Sequence, residues 1–235
     1  MRLLCESLPD PLADRELTRG LVELTESTGD PGLRVWTPPR QVAFGRRDSA
    51  ADGYRSARRI AAERGYDPIE RSAGGRAVAH TGTTVAFALV SPTEPGRSGI
   101  TSRYRDAMSR LSGALEELGA SVGRGEPSAS FCPGTHSLQR DGKIAGLAQR
   151  VRTESALLGG YVIVRSSDAA AVSTVLDPVY AALGLPFDPA SVGSVEAAGG
   201  PAGVGTVTDA IEAAFTGDAE TTAIDAVDLP SGDAP

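Results

Sequence analysis

A thiol and an ammonium set on either side of one tight turn are the residue types of this chain best suited to chemistry. The segment FCPGTHSLQRDGKIAGLAQR, residues 131–150, puts Cys132 on a turn stiffened by Pro133 and Gly134. Asp141-Gly142 then supplies a hairpin turn that brings Lys143 back toward it. A second segment, RSAGGRAVAH, residues 71–80, runs from Arg71 into a paired-glycine bend, Gly74 and Gly75, with Arg76 on it. Glycines there admit backbone angles closed to other residues and leave room for a ligand against the main chain. A thiol supplies a nucleophile, an ammonium polarises an acyl carbonyl, and small residues let a slender chain lie along the backbone. Together they point to acyl transfer. Each has a plainer reading alone: cysteine is often simply buried, a hairpin lysine is often solvated, and an isolated GGR is a β-turn. His80 and His136 lack an acidic partner at fixed spacing, so a structural role is expected for both, with His136 the better candidate base. Cys5 has no such surroundings and is expected to be inert.

Periodicity gives the elements that must position these residues. Leu17, Leu21 and Leu24 share one helical face and precede a short apolar strand, Leu33 to Thr37, ended by Pro38 and Pro39. Val42 to Gly45 reads as a second strand, and Ser56 to Arg64 as a basic, alanine-rich helix closed by Gly65. The glycine bend falls between a strand at Pro68 to Arg71 and a buried one at Thr83 to Val90. Tyr104, Met108, Leu111, Leu115 and Leu118 form the buried stripe of a helix that should cover the sheet. Strands at 137–140, 143–152 and 156–165 should extend the first sheet or form a second. Helices are expected around Val172 to Leu183 and Val207 to Phe215. Strands alternating with helices, partly through hairpins, predict a mixed α/β or α+β domain.

The Gly-, Pro-, Ala- and Ser-rich stretch Gly184 to Gly205 reads as mobile, and its GGPAGVG lacks the Lys-Ser/Thr ending of a phosphate-binding loop, so a plain loop is expected. The segment from Gly217 to Pro235 carries five acidic residues and no basic one. Removing those five from the net charge of −7 leaves −2 for residues 1–216. A nearly neutral body argues against a nucleic-acid surface. We therefore expect one catalytic domain over 1–216 and an acidic, disordered tail over 217–235. Two cysteines and two histidines, without metal-ligand spacing, predict no metal site. No apolar run approaches the roughly 20 residues of a membrane span, and MRLLCESLPD does not read as a secretory signal, so a cytoplasmic protein without membrane or nucleic-acid partners is expected.

RSAGGRAVAH resembles the R-x-[ST]-G-G-[GR]-A-V segment of the lipoate-protein ligase A and octanoyltransferase superfamily, and GKIAGLAQR its G-[KR]-K-x-x-G-x-[AS]-Q-R segment. LRVWTPPRQVAFGR is similar to the strand and P-x-x-x-x-G that open the family's fold. The resemblance implies the biotin/lipoate ligase catalytic fold, a mixed sheet flanked by helices with the acyl chain held between the glycine bend and the lysine hairpin. Carried over by motif, Arg71, Gly74, Gly75, Arg76, Ala77 and His80 would form one side of the acyl site. Lys143 would contact the acyl carbonyl, and Gly146 and Ala148 would keep the opposite wall open. The FCPG turn is similar to the amidotransferase branch, the octanoyl-[glycine-cleavage H protein]:protein N-octanoyltransferases, which implies Cys132 as the nucleophile.

The chain departs from the pattern at Ala73, where the family usually has Ser or Thr, and at Thr81, where ATP-using ligases often have Asp. His136 stands where relatives with the FCPG turn tend to carry Tyr. The expected activity is transfer of an octanoyl or lipoyl group, through a Cys132 thioester, to the lysine of a lipoyl domain. The glycine-cleavage H protein and the E2 subunits of 2-oxoacid dehydrogenases are the implied partners, and no cofactor is required. Two alternatives share the residues: an ATP- and Mg-dependent lipoate ligase working through an adenylate with a separate accessory subunit, and a lipoyl-binding module without catalysis.

Overall fold

The computed structural model describes residues 1–71, 74–93 and 99–230. Ala73 lies outside them. Two sheets carry the fold. The larger is built from β1 (Arg2–Leu4), β2 (Gly32–Trp36), β6 (Val85–Pro92), β7 (Gly123–Arg124), β8 (Ser137–Gln139), β9 (Lys143–Val151), β10 (Ser155–Val162) and β11 (Thr222–Ala223). Its order is β11-β1-β2-β6-β10-β9-β8-β7, parallel from β11 to β2 and antiparallel beyond. The smaller has order β4-β3-β5, from β3 (Gln41–Phe44), β4 (Asp67–Glu70) and β5 (Val78–His80). This is the mixed α/β architecture expected, with the 137–162 strands extending the larger sheet.

Local chemistry explains why the elements start and stop where they do. Helix α1 (Pro11–Thr28) begins with Asp10 accepting from the Ala13 amide and Pro11 in the first turn, and ends on left-handed Gly29. The short α2 (Arg46–Ser49) follows β3. Helix α3 (Tyr54–Glu63) turns Ala57 and Ala61 inward, and Gly53 lets its start lie against the Ala182 carbonyl. Helix α4 (Ile100–Glu117) and α6 (Val204–Thr216) cover one face of the larger sheet, where Leu33, Val35, Phe87, Leu111, Leu158 and Phe215 interlock. Helix α5 (Ser166–Ala182) packs with α3 over the smaller sheet around Phe44, Val78, Phe131 and Tyr180. Helix α1 lies on the opposite face of the larger sheet, against Leu4 and Val90.

Two segments expected to be mobile are packed against the body where the structure describes them; residues 231–235 of the second lie outside the described residues. Within Gly184 to Gly205, Ser194 and Val195 are buried, Gly193 packs against the Gly142 carbonyl, and Gly200 fits beneath Val195, so these glycines serve close approach. GGPAGVG is a loop leading into α6, as read. In the acidic segment, β11 pairs with β1, Ile224 is buried against α1's cluster, and Leu229 fills the space beside Gly20, so residues 217–230 are held to the body by one strand pairing and two apolar contacts that charge counting hides.

Candidate active site

The cleft lies between the two sheets, on the face of the larger one turned toward β3–β5. Its floor follows from the strand register. One row across the sheet reads Trp36, Ala86, Tyr161, Gly146, and the next Arg34, Ala88, Gly159, Ala148. Side chains alternate along a strand, so these two rows put mainly alanine and glycine on one face and leave a trough across four strands. Gln41, Ala43, Val78 and His80 form the opposing wall, and the cleft between, open to solvent on one side, holds a cavity of about 240 Å³.

Glycine has two different uses in this floor. A side chain on Gly159 would meet nothing closer than a carbonyl at 3.8 Å and would project into the cleft, whereas one on Gly160 would overlap the Phe87 ring. Gly159→Leu is therefore expected to fold with an unchanged melting temperature and to lose binding of any slender chain laid along the trough, octanoate being the probe. Gly160→Ala should instead destabilise by about 1–3 kcal/mol through overpacking. Thermal melts alongside octanoate titrations separate the two.

At one end of the trough the larger sheet supplies a closed polar cluster. Arg34 is fully buried, donating to Asp14 at 2.6 Å, to Thr18 Oγ1 and to the carbonyls of Glu6 and Asp14, with its guanidinium over the Trp36 ring. Trp36 Nε1 donates to the second Asp14 oxygen at 2.9 Å. A buried pair so fully hydrogen-bonded is held in one geometry, and it fixes the Trp36 side of the cleft.

At the other end sits Cys132. Its φ of 41° lies in the left-handed region, unfavourable for a residue with a Cβ, and two bonds hold it there. The Cys132 N–H donates to the Tyr180 hydroxyl at 2.6 Å, and Lys143 Nζ donates to the Cys132 carbonyl at 2.8 Å. Tyr180 in turn donates to the Ala77 carbonyl, tying the cysteine turn to the strand after the glycine bend. Arg71 Nη2 donates to Cys132 Sγ at 3.2 Å and to the Arg76 carbonyl at 2.6 Å. A guanidinium donating to sulfur stabilises negative charge there.

Lys143 is 1% exposed. Its ammonium also donates to both Glu126 oxygens at 2.9 and 3.1 Å and to the Phe131 carbonyl at 3.1 Å. Ser130 and Ser137 donate to the same carboxylate. The lysine hairpin thus comes back under the cysteine turn as Asp141-Gly142 predicted, with Asp141 at φ 52° and Gly142 at φ 157°.

Arg71, His80, Cys132, Lys143, Gly146 and Ala148 all border the cleft. Gly75, at φ 98°, presses on the sulfur: a Cβ there would stand 2.6 Å from Sγ and 2.7 Å from Arg71 Nη2. Three expected wall residues lie elsewhere. Arg76 turns to the buried Asp48 at 3.2 Å, and Ala77 is packed in the core under α5, offering only its carbonyl to Tyr180. Gly74 has open space around it and is not part of the wall.

Burial and, secondarily, Arg71 push His80 down to about 4, so its ring is neutral near pH 7, with Nδ1 3.2 Å from Thr84 Oγ1. His136 stacks on Tyr104 with ring centres 3.7 Å apart, which accounts for its ring without a catalytic role. Burial and then Glu212 raise the Cys5 thiol to about 11, in keeping with an inert cysteine. Among the described residues no cluster of His, Cys, Asp and Glu could hold a metal ion, and no helix is long and apolar enough to cross a membrane. Tyr161, Tyr180 and the Asp14–Arg34 pair were not legible from local motifs, because each reaches the site from a distant part of the chain, and Glu126, close in sequence, lies in an irregular loop with no pattern to single it out.

The family profile of the lipoyl protein ligase A/B catalytic domain matches residues 10–216. The chain belongs to that family. Similar proteins within it include one from Exiguobacterium sp. named octanoyl-[GcvH]:protein N-octanoyltransferase, 29% identical over 157 residues, 66% of this chain and 56% of that protein. A protein of the same name from Geobacillus kaustophilus is 28% identical over 60% of this chain and 50% of its own length. The chain thus spans about half the length of these relatives. Among solved structures, lipoate-protein ligase A bound with ATP superposes with a TM-score of 0.75 at 20% identity, over 95% of this chain and 88% of that one. The bipartite lipoate protein ligase of Thermoplasma acidophilum gives 0.69 at 20% identity, covering 95% and 86%. At such identity these neighbours establish the lipoate-ligase catalytic fold.

Proposed function

We propose that this chain is an octanoyl-transfer enzyme of protein lipoylation, with Cys132 as nucleophile and residues 1–216 as the catalytic unit. The observation that carries this reading is the placement of Cys132 Sγ, beside the Arg71 guanidinium and at the end of a trough floored by alanine and glycine. In the first half-reaction the sulfur bonds to the acyl carbon of an octanoyl-lysine amide, and the C–N bond breaks. The thiol proton leaves with the lysine amine. In the second, the acceptor lysine nitrogen bonds to the acyl carbon, the C–S bond breaks, and a proton returns to sulfur. Two easier steps replace one direct amide exchange.

Arg71 stabilises the charge on sulfur, and Lys143 fixes the Cys132 peptide and brings positive charge beneath the reacting carbon. Contact between Lys143 and the acyl oxygen is made by giving up one of its two backbone carbonyls. His80, neutral, supplies wall and not charge. The similar Exiguobacterium and Geobacillus proteins, by their names, act from octanoylated glycine-cleavage H protein, and we take that protein as donor and a lipoyl-domain lysine as acceptor. No nucleotide enters this sequence.

Incubation with octanoylated H protein and intact-mass analysis test the reading. The expected result is an octanoyl adduct that maps to Cys132 and is discharged by an unacylated lipoyl domain, with no lipoate-dependent exchange of pyrophosphate into ATP. Exchange without an adduct would place the chain with the adenylate-forming ligases instead.

A further inference from the structure

An acyl exchange places negative charge on the carbonyl oxygen, so the site needs a hydrogen-bond donor free to receive it. Lys143 is not such a donor at rest. An ammonium has three N–H groups, and here three acceptor groups, Glu126, the Phe131 carbonyl and the Cys132 carbonyl, surround it. The Cys132 amide is also taken, by Tyr180. Among the described residues of the wall, the buried donors left without a partner are the Tyr161 hydroxyl and Arg71 Nε.

Tyr161 has the better position. It stands on β10 between Ala86 and Gly146, the two smallest neighbours its row could give it. Its ring packs on Phe131, the residue before the nucleophile, with ring centres 5.4 Å apart. Its hydroxyl would stand 3.3 Å from a Cβ on Gly146, and Lys143 Cε would stand 3.1 Å from that same point, so the phenol and the lysine stem meet over the one glycine. Tyr161 is 8% exposed. Burial, with Cys132 and then Glu126 adding to it, raises its ionisation well above the ordinary tyrosine value, which keeps the phenol protonated and a donor. Buried hydroxyls are nearly always paired in folded proteins, and one left open on a ligand cleft marks where a ligand atom belongs. An octanoyl chain is apolar except at its carbonyl, so the ligand atom that fits is the carbonyl oxygen.

We propose that Tyr161 is a further catalytic residue, its hydroxyl donating to the carbonyl oxygen of the acyl group as Cys132 attacks. The inference rests on the thioester reading above. The hydroxyl gives up no proton: it bonds to the oxygen in the tetrahedral state and is released when the carbonyl reforms.

The test compares two reactions of the same sulfur. Acylation of Cys132 by p-nitrophenyl octanoate, followed by nitrophenolate release, develops an oxyanion; alkylation by iodoacetamide does not. Tyr161→Phe should slow acylation on the order of 10²-fold. Alkylation should be unchanged, and the melting temperature equal or higher, since an unpaired buried hydroxyl has been removed. Equal acylation rates in wild type and Tyr161→Phe would overturn the proposal, as would equal slowing of both reactions, which would mark a packing effect. A wild-type protein that p-nitrophenyl octanoate does not label at Cys132 would refute the thioester reading itself.

Discussion

Cys132→Ala is expected to leave the fold intact and to abolish octanoyl transfer, by on the order of 10⁴-fold or more, because among the described residues no second thiol lines the cleft. The site predicts this sharply. Cys132 is half-buried at the end of the trough, its backbone is held by Tyr180 and Lys143 through atoms that alanine retains, and the other cysteine, Cys5, is far off and held protonated. Far-ultraviolet circular dichroism should be unchanged while the octanoyl mass increment disappears. Transfer at the wild-type rate by the alanine variant would mean that donor and acceptor react directly in the cleft, without a thioester.

Lys143→Ala should reduce transfer at least about 10²-fold, but through two effects that must be separated. The ammonium is buried beneath the cysteine turn, so its loss removes charge from the reacting centre and also frees the Cys132 carbonyl from its clamp. It leaves Glu126 without its cation, and breaking a largely buried pair costs up to about 3 kcal/mol. The double variant Lys143→Met/Glu126→Gln removes both charges and should recover most of that stability, since a neutral pair of similar bulk needs no counter-charge. It should recover none of the activity. Lys143→Arg should not help, because three acceptors converge on a point charge and a planar fork cannot meet them together. A double variant that is both stable and active would reduce the lysine to a structural member.

The part of this site legible in the sequence is the part made by neighbours. Asp141-Gly142 announces a hairpin, so the return of Lys143 toward Cys132 follows from turn chemistry alone. The helical stripes of α4 and α6 were equally plain, because each repeats over several turns. Contacts made across the fold left no local signal. Glu126 reaches Lys143 from a loop before the cysteine, Tyr180 reaches Cys132 from the far end of α5, and Arg34 meets Asp14 between a strand and a helix. Strand β5 is three residues long, too short for alternation to show, so the burial of Ala77 just before it could not be read from the pattern. Glycine misled in the loop before α6, where a composition typical of mobile segments serves tight packing against Gly142 and Val195.

The glycine bend also constrains how this chain can change. A side chain on Gly45 would overlap the Gly75 carbonyl, and one on Gly75 would strike both the sulfur and Arg71, so backbone is stacked on backbone at that wall with no space left over. Across the cleft, Gly159 points at open volume. Inherited variation in acyl preference therefore has one direction available to it: descendants can shorten or reshape the trough from the larger sheet residue by residue, while the wall that carries the nucleophile's neighbours is closed to gradual substitution and keeps the chemistry the same as the substrate drifts.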